Sequence, residues 1–247
     1  MYIGVNELIS LYKKEFDQNK KATDLAKRRV REQGFSLSGK LGNSRIEDEK
    51  KLVIKEWDKK RDNSKKVHRT IQERESKLNK GSIIGEYKKI EDGEIPIFPN
   101  IELDRNIHYY EKFLYNEKYK IIGYADHLYI DSKGYINIED YKCNQTFTTN
   151  FTFEKNGLRF IEKFKQPINN LIDSKLVYAQ LQSSLYMYLA WTLNPRLKFG
   201  NIKITHVVLN EDGESTGEEF KYDVPFLLDE IKLILKDYIK NKKANVI

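Results

Sequence analysis

Residues 120–142 read KIIGYADHLYI, DSKG and YINIEDYK in succession. The outer runs are rich in the Ile and Tyr that pack well on a pleated surface, and the middle holds the Asp, Ser and Gly that tight turns use. This spacing predicts a β-hairpin. A third run of the same kind at residues 107–115 makes the unit three-stranded and antiparallel. Side chains alternate along a strand, so Asp140 and Lys142 share a face with Ile136 and Ile138, while Glu139 and Tyr141 point the other way. The hairpin also carries Asp126 toward Asp140.

The pattern changes on either side of this unit. Upstream, Val5, Leu8, Ile9, Tyr12 and Phe16 recur at helical spacing, with Asn6 as the expected N-cap. Residues 20–33 form a strongly basic second helix, and residues 34–42 a loop. Ser44 and Glu47 make a capping-box pattern ahead of a third helix that reaches about residue 60. Asp62, Asn63 and Ser64 break it, and a fourth helix runs over residues 64–79. The first eighty residues therefore read as helical throughout. Downstream lie an irregular stretch at 143–157, a short helix, and a long helix capped by Asp173 that ends near Leu193. Strands follow at 201–209 and 218–222, then a last helix opened by Pro225 and ending in a basic tail at 236–243. The expected class is α/β, a mixed central sheet flanked by helices. Residues 1–80 are the helical amino-terminal extension, lending their last helix to a core built by residues 81–247.

Composition narrows the function classes. Of 247 residues, 44 are Lys or Arg and 37 Asp or Glu, a net charge of +7, which directs attention to polyanionic partners. Hydrophobic residues make up 39%, enough for a core, yet no apolar run approaches the roughly 20 residues of a membrane span. Apolar and polar residues mix from the start, so no secretory signal is read and the expected compartment is the cytoplasm. Cys143 is the only cysteine, which excludes a disulfide framework, a four-cysteine zinc site and a cysteine-held iron–sulfur cluster.

Two carboxylates converging in a partly buried place repel unless a cation lies between them, and oxygen ligation suits Mg²⁺ or Mn²⁺. A lysine beside such a centre can orient or deprotonate a water, as phosphodiester hydrolysis requires. Asp140 and Lys142 alone read as an ordinary strand ion pair. The surrounding motifs decide. Gly-Tyr-Ala-Asp126, Glu-Asp140-Tyr-Lys142, the downstream Gln182-Ser-Ser-Leu-Tyr186 and the upstream His68-Arg-Thr-Ile71 together resemble the PD-(D/E)XK nuclease superfamily. The branch is that of RecB-type exonucleases, and the chain is similar to phage exonucleases akin to the mitochondrial genome maintenance exonuclease. The likeness covers roughly residues 64–209.

The resemblance implies a restriction-endonuclease-like fold and a catalytic set of Asp126, Asp140, Lys142, Gln182 and Tyr186. Metal ligands would be His68, Asp126, Asp140, the Tyr141 carbonyl and Glu111. Taken singly, His68 reads as a core-edge histidine, Gln182 and Tyr186 as a packing pair at i, i+4, and Glu111 as a solvent-facing strand residue. Relatives often carry a glycine before the histidine and a glutamate after it, where this chain has Asn63 and Ser64, then Gln72 and Glu73. The implied activity is a Mg²⁺- or Mn²⁺-dependent DNA exonuclease that leaves 5′-phosphates, in phage DNA processing, recombination or degradation within a bacterial host's cytoplasm. The alternative is a non-catalytic nucleic-acid-binding or virion-associated protein that keeps the fold. DNA, as linear ends or single strands, would be drawn by Lys27, Arg28 and Arg31, by Lys59, Lys60 and Arg61, by Lys65 and Lys66, and by the basic tail. Tyr109, Tyr110, Phe147, Phe151 and Phe153 offer base stacking or, alternatively, core packing. His108 and His127 have no spacing that recommends them, and the oligomeric state is left open.

Overall fold

The carboxylate of Asp131 accepts hydrogen bonds from the backbone amides of Lys133 (2.9 Å) and Tyr135 (2.8 Å), and Gly134 takes a positive φ of 81°. That closes the expected hairpin between β4 (Ile121–Ile130) and β5 (Tyr135–Asn144). The computed structural model describes residues 2–13, 18–85, 101–148, 152–155 and 158–244, with residues 152–155, 158–160 and 243–244 by backbone alone. Ahead of the hairpin come β1 (Ile3–Gly4), α1 (Val5–Ser10), α2 (Gln18–Glu32), α3 (Gly39–Leu78), β2 (Ile83–Ile84) and β3 (Ile107–Asn116). After it come β6 (Thr152–Lys155), β7 (Leu158–Ile161), α4 (Lys175–Leu193), β8 (Lys198–Leu209), β9 (Ser215–Val224) and α5 (Leu228–Ala244).

The class is α/β with a mixed, open, seven-stranded sheet. Its order is β2-β3-β4-β5-β8-β9, with β1 pairing parallel to β4; β6 and β7 form a separate hairpin. β5 and β8 are parallel, so the chain must cross over between them, and α4 makes that crossover. α4 is apolar on nearly all sides and is buried from Ala179 to Tyr186 without a break. It packs with α1, α5 and one face of the sheet around Leu8, Leu128, Ile138, Leu185 and Ile231. On the other face, Val67 and Ile71 of α3 pack against Tyr141, Cys143 and Val207.

The pleat of β3 and β4 changes sides partway. Leu128 and Ile130 join the core on the α4 face with even numbers, whereas Ile121 and Ala125 join it with odd ones. On β3, Tyr109 and Leu114 show the same change. A strict alternation cannot do both, and the ladder skips the one rung between, Glu111 opposite Asp126, where Glu111 has a positive φ of 49°.

Several expected boundaries move. The third and fourth helices are one 40-residue α3. Asn63 and Ser64 do not break it, because their side chains are engaged elsewhere: Asn63 Nδ2 donates to the Asp212 carbonyl at 2.7 Å, and Ser64 Oγ to the Cys143 carbonyl at 2.7 Å. Ser44 lies inside this helix, which follows Ser38. α1 follows Gly4 rather than being capped by Asn6, whose carbonyl accepts from Ser10 Oγ at 2.7 Å; Phe16 lies outside the described residues. The amino-terminal region is not helical throughout, since β1 adds to the sheet and α1 sits in the main core.

Among the described residues no short helix lies between β6 and α4; the chain there forms β7 and an isolated bridge between Lys163 and Ile172. Ser174 caps α4 by accepting from the Val177 amide at 3.2 Å, and Asp173 pairs instead with Lys13 at 3.2 Å. Residues 143–157 are not wholly irregular, as β5 extends to Asn144 and β6 follows. β8 and β9 are both longer than expected. α5 starts three residues after Pro225, whose carbonyl accepts from Gln180 Nε2 at 2.8 Å. Among the described residues no helix is long and apolar enough to cross a membrane.

Candidate metal centre

β4 and β5 pair from His127 and Glu139 to Ile130 and Ile136 and then part, leaving Asp126 and Asp140 at the mouth of the gap. The Asp126 carboxylate fills part of it: Oδ2 accepts from the Tyr141 backbone N–H at 2.9 Å and lies 3.0 Å from His68 Nε2. His68 reaches it from α3. Its other ring nitrogen, Nδ1, is 3.9 Å from Glu111 Oε1, and the Tyr141 ring packs edge-on to the imidazole with centroids 5.9 Å apart. One ligand atom from each of His68, Glu111 and Asp126 lies within 4.8 Å of the others.

The second half of the site faces α4. Lys142 Nζ lies 2.7 Å from Asp140 Oδ2 and donates to Gln182 Oε1 at 2.9 Å. Gln182 Nε2 in turn donates to the Tyr186 hydroxyl at 3.0 Å. Gln182 and Tyr186 stand one above the other because they are four residues apart on a helix. Tyr186 also explains Gly123 of the Gly-Tyr-Ala-Asp run. A Cβ there would sit 2.6 Å from Tyr186 Cε1 and 2.9 Å from Val5 Cγ2, so only glycine lets β4 pass beneath the helix.

The electrostatics follow from three acids, one imidazole and one ammonium crowded in a shielded place. Burial raises the Asp126 carboxyl, but His68, Lys142 and the Tyr141 N–H outweigh it and hold the group down to about 2. Burial pushes Asp140 up to about 7; Lys142 pulls against the rise and Asp126 adds to it. Burial and the Asp126 charge raise Glu111, against Gln72 and His68. Burial lowers His68, yet Asp126 and Glu111 carry it above the usual histidine value. Lys142 is likewise lowered by burial and raised further by Asp140 and Asp126, which keeps it an ammonium.

The residues fit a hard divalent cation. Asp140 is 0% exposed, and neither of its oxygens accepts a well-oriented hydrogen bond from the described residues; Lys142 is its close cation. Lys142 meets Oδ2 alone, so Oδ1 of this buried carboxylate is left without a donor among the described residues, a position that a second cation would complete. A donor set dominated by carboxylates suits Mg²⁺ or Mn²⁺, and its single imidazole favours the transition metal of the two.

The structure thus brings together His68, Glu111, Asp126, Asp140, Lys142, Gln182 and Tyr186, with Tyr141 supplying a backbone N–H to Asp126 and a ring to His68. Lys27, Arg28, Arg31, Lys65 and Lys66 lie exposed on α2 and α3; Arg28 pairs with Glu32 at 2.8 Å and Lys65 with Asp62 at 3.7 Å. Tyr109 and Tyr110 are buried, and Phe147 stacks on His206 with centroids 4.9 Å apart, so these rings serve packing rather than base stacking. The side chains of Phe151 and Phe153 lie outside the described residues.

Two parts of the site escape a reading by motif. Gln72 is buried and donates to Glu111 Oε1 at 2.7 Å and to the Asp126 carbonyl at 3.5 Å. Its signal was its place four residues after His68 on one helix face. His127 and His108, which no spacing recommends, form a chain behind the site. His108 Nδ1 is 2.9 Å from His127 Nε2, His127 Nδ1 is 3.4 Å from Glu139 Oε2, and Thr205 Oγ1 donates to Glu139 Oε1 at 2.7 Å. Burial raises Glu139, but His127 and Thr205 hold it down to about 2.

No family model matches the chain, and no curated protein matches it.

Proposed function

We propose that this protein is a metal-dependent deoxyribonuclease of restriction-endonuclease-like fold, in the RecB-type branch of the PD-(D/E)XK superfamily. It acts as an exonuclease on linear DNA and leaves 5′-phosphates. One observation carries the reading: Lys142 joins Asp140 to Gln182 and Tyr186, and Asp140 lies beside Asp126 of the His68, Glu111 and Asp126 cluster. An ordinary strand ion pair has no reason to meet that second cluster.

His68, Glu111, Asp126 and Asp140, with the Tyr141 carbonyl, would hold Mg²⁺ or Mn²⁺. Bound there, the ion supplies Lewis acidity to a phosphodiester and charge for the leaving oxygen. The chain's own groups do the rest. Lys142, kept protonated by Asp140 and Asp126, orients the attacking water and offsets the charge that builds on the phosphate; its raised pKa favours this role over that of general base. Gln182 fixes the ammonium, and Tyr186 fixes Gln182. Asp126 orients His68, and Gln72 orients Glu111. The biological setting that matches this chemistry is phage DNA processing, recombination or degradation in a bacterial cytoplasm.

The test uses end-labelled linear single- and double-stranded DNA and closed circular DNA, with wild type and Lys142→Ala, in Mg²⁺, Mn²⁺ or EDTA. Loss of linear DNA alone, stopped by EDTA and by the substitution, is the expected result. Cutting of the circle makes the protein an endonuclease with the same site. Binding without cleavage under either metal leaves a nucleic-acid-binding protein that keeps the fold.

A further inference from the structure

The excess positive charge of the chain is confined to one part of it. Residues 18–66 hold sixteen Lys or Arg against eight Asp or Glu, a net +8, where the whole chain carries +7. Everything else, the candidate metal centre included, is close to neutral in sum.

This charged part is built as an arm. α2 lies along α3 through Ala26, Val30 and Ile46, with Leu37 packed against them, a small core distinct from the main one. Arg29 pins the pair, reaching Glu49 at 3.2 Å and Glu56 at 2.8 Å. Among the described residues, the hydrogen bonds and apolar contacts that tie α3 to the sheet belong to its second half: Asn63 and Ser64 bond to loop and strand carbonyls, and Val67 and Ile71 pack on β5 and β8. Lys27 and Arg31 on α2 and Lys51, Lys55 and Lys59 on α3 point into solvent. The same unbroken helix then delivers His68 and Gln72 to the metal centre.

Like charges crowded on an exposed helix pair repel, and a row of phosphates relieves that repulsion by releasing its counterions. The 23 residues from Arg45 to His68 span about 35 Å of helix, the length of about ten base-pair steps of duplex. We propose that the α2–α3 arm is a backbone-binding arm that sets substrate length, holding about ten base pairs of nucleic acid that lead to the metal centre. The proposal rests on the nuclease reading for what happens at the centre, and on the arm alone for binding.

The test measures binding and cleavage separately, with the full chain. Fluorescein-labelled blunt duplexes of about 6, 10, 14 and 24 base pairs are titrated in EDTA by anisotropy over a salt series, then cut with Mn²⁺ at limiting enzyme. Affinity is expected to climb steeply to about ten base pairs and then flatten. The exposed triple variant Lys27→Gln, Arg31→Gln, Lys55→Gln should lose about tenfold in affinity for the longest duplex and flatten the log–log salt slope by about two to three, with an unchanged circular dichroism spectrum. A variant that binds as wild type with the same slope, or full affinity already at the shortest duplex, overturns the proposal. So does displacement of the duplex by poly-glutamate at equal charge, which reassigns the arm to an acidic protein. Length-dependent binding with no cleavage in Mn²⁺ sinks the nuclease reading and leaves the arm, whereas cleavage of every length at one rate does the reverse.

Discussion

Glu111 occupies the rung that the β3–β4 ladder skips, in a left-handed backbone conformation that costs a non-glycine residue about 1–3 kcal/mol. Such strain persists only where neighbours hold it. Gln72 is the neighbour: its amide grips Glu111 Oε1 at 2.7 Å from the helix turn after His68. Replacing Gln72 by Leu removes the donor and leaves the acid free to swing, so Mn²⁺ affinity measured by calorimetry should fall by about 10- to 100-fold. Unchanged affinity in a folded variant would mean that the backbone alone sets Glu111. At this scale strand alternation placed Asp140 and Lys142 on one face and helical spacing placed Gln182 above Tyr186, whereas their assignment with Asp126 to one site came from the resemblance. Gln72 was not legible, because its partner stands on a strand whose pleat changes sides, and no periodicity announces that change.

At the scale of elements, the hairpin, the long α4 and the amphipathic α2 follow from turn chemistry and apolar spacing. The continuity of α3 does not. Asn63 and Ser64 look like a break when only local bonding is considered; the Asp212 and Cys143 carbonyls, distant in sequence, claim their side chains and let the helix run through. Ser174 rather than Asp173 caps α4 for a similar reason, Asp173 being taken by Lys13. At Gly123, β4 passes close against Tyr186 of α4 and Val5 of α1. Gly123→Ala places a methyl against the Tyr186 ring and Val5, and is expected to cost about 1–3 kcal/mol in urea unfolding. A midpoint equal to that of wild type would show that the ring and Val5 can yield without loss.

Across the whole molecule, one helix serves two layers: its first half joins the basic arm, and its second half packs on the sheet and carries His68 and Gln72 into the gap between β4 and β5. Strand order explains why the motifs, spread from His68 to Tyr186, meet. β4 and β5 lie side by side, α4 covers one face beneath Lys142, and α3 covers the other beside Tyr141. Net charge and its concentration in residues 18–66 are readable from the sequence, but that these residues build one helical arm needed the fold. In the proposed function, His68, Glu111, Asp126 and Asp140 form one divalent-cation centre. Because Glu111, Asp140 and His68 all hold protons more tightly than the free side chains, an arriving cation must displace them, and affinity should rise with pH. The direct measurement is a Mn²⁺ titration of the DNA-free protein by calorimetry at about pH 6 and about pH 8, beside Asp126→Asn and Asp140→Asn. Saturable binding by wild type is expected, tighter at the higher pH and with proton release, and lost in both variants. Absence of binding by wild type, or variants that bind as wild type does, would contradict the proposed centre.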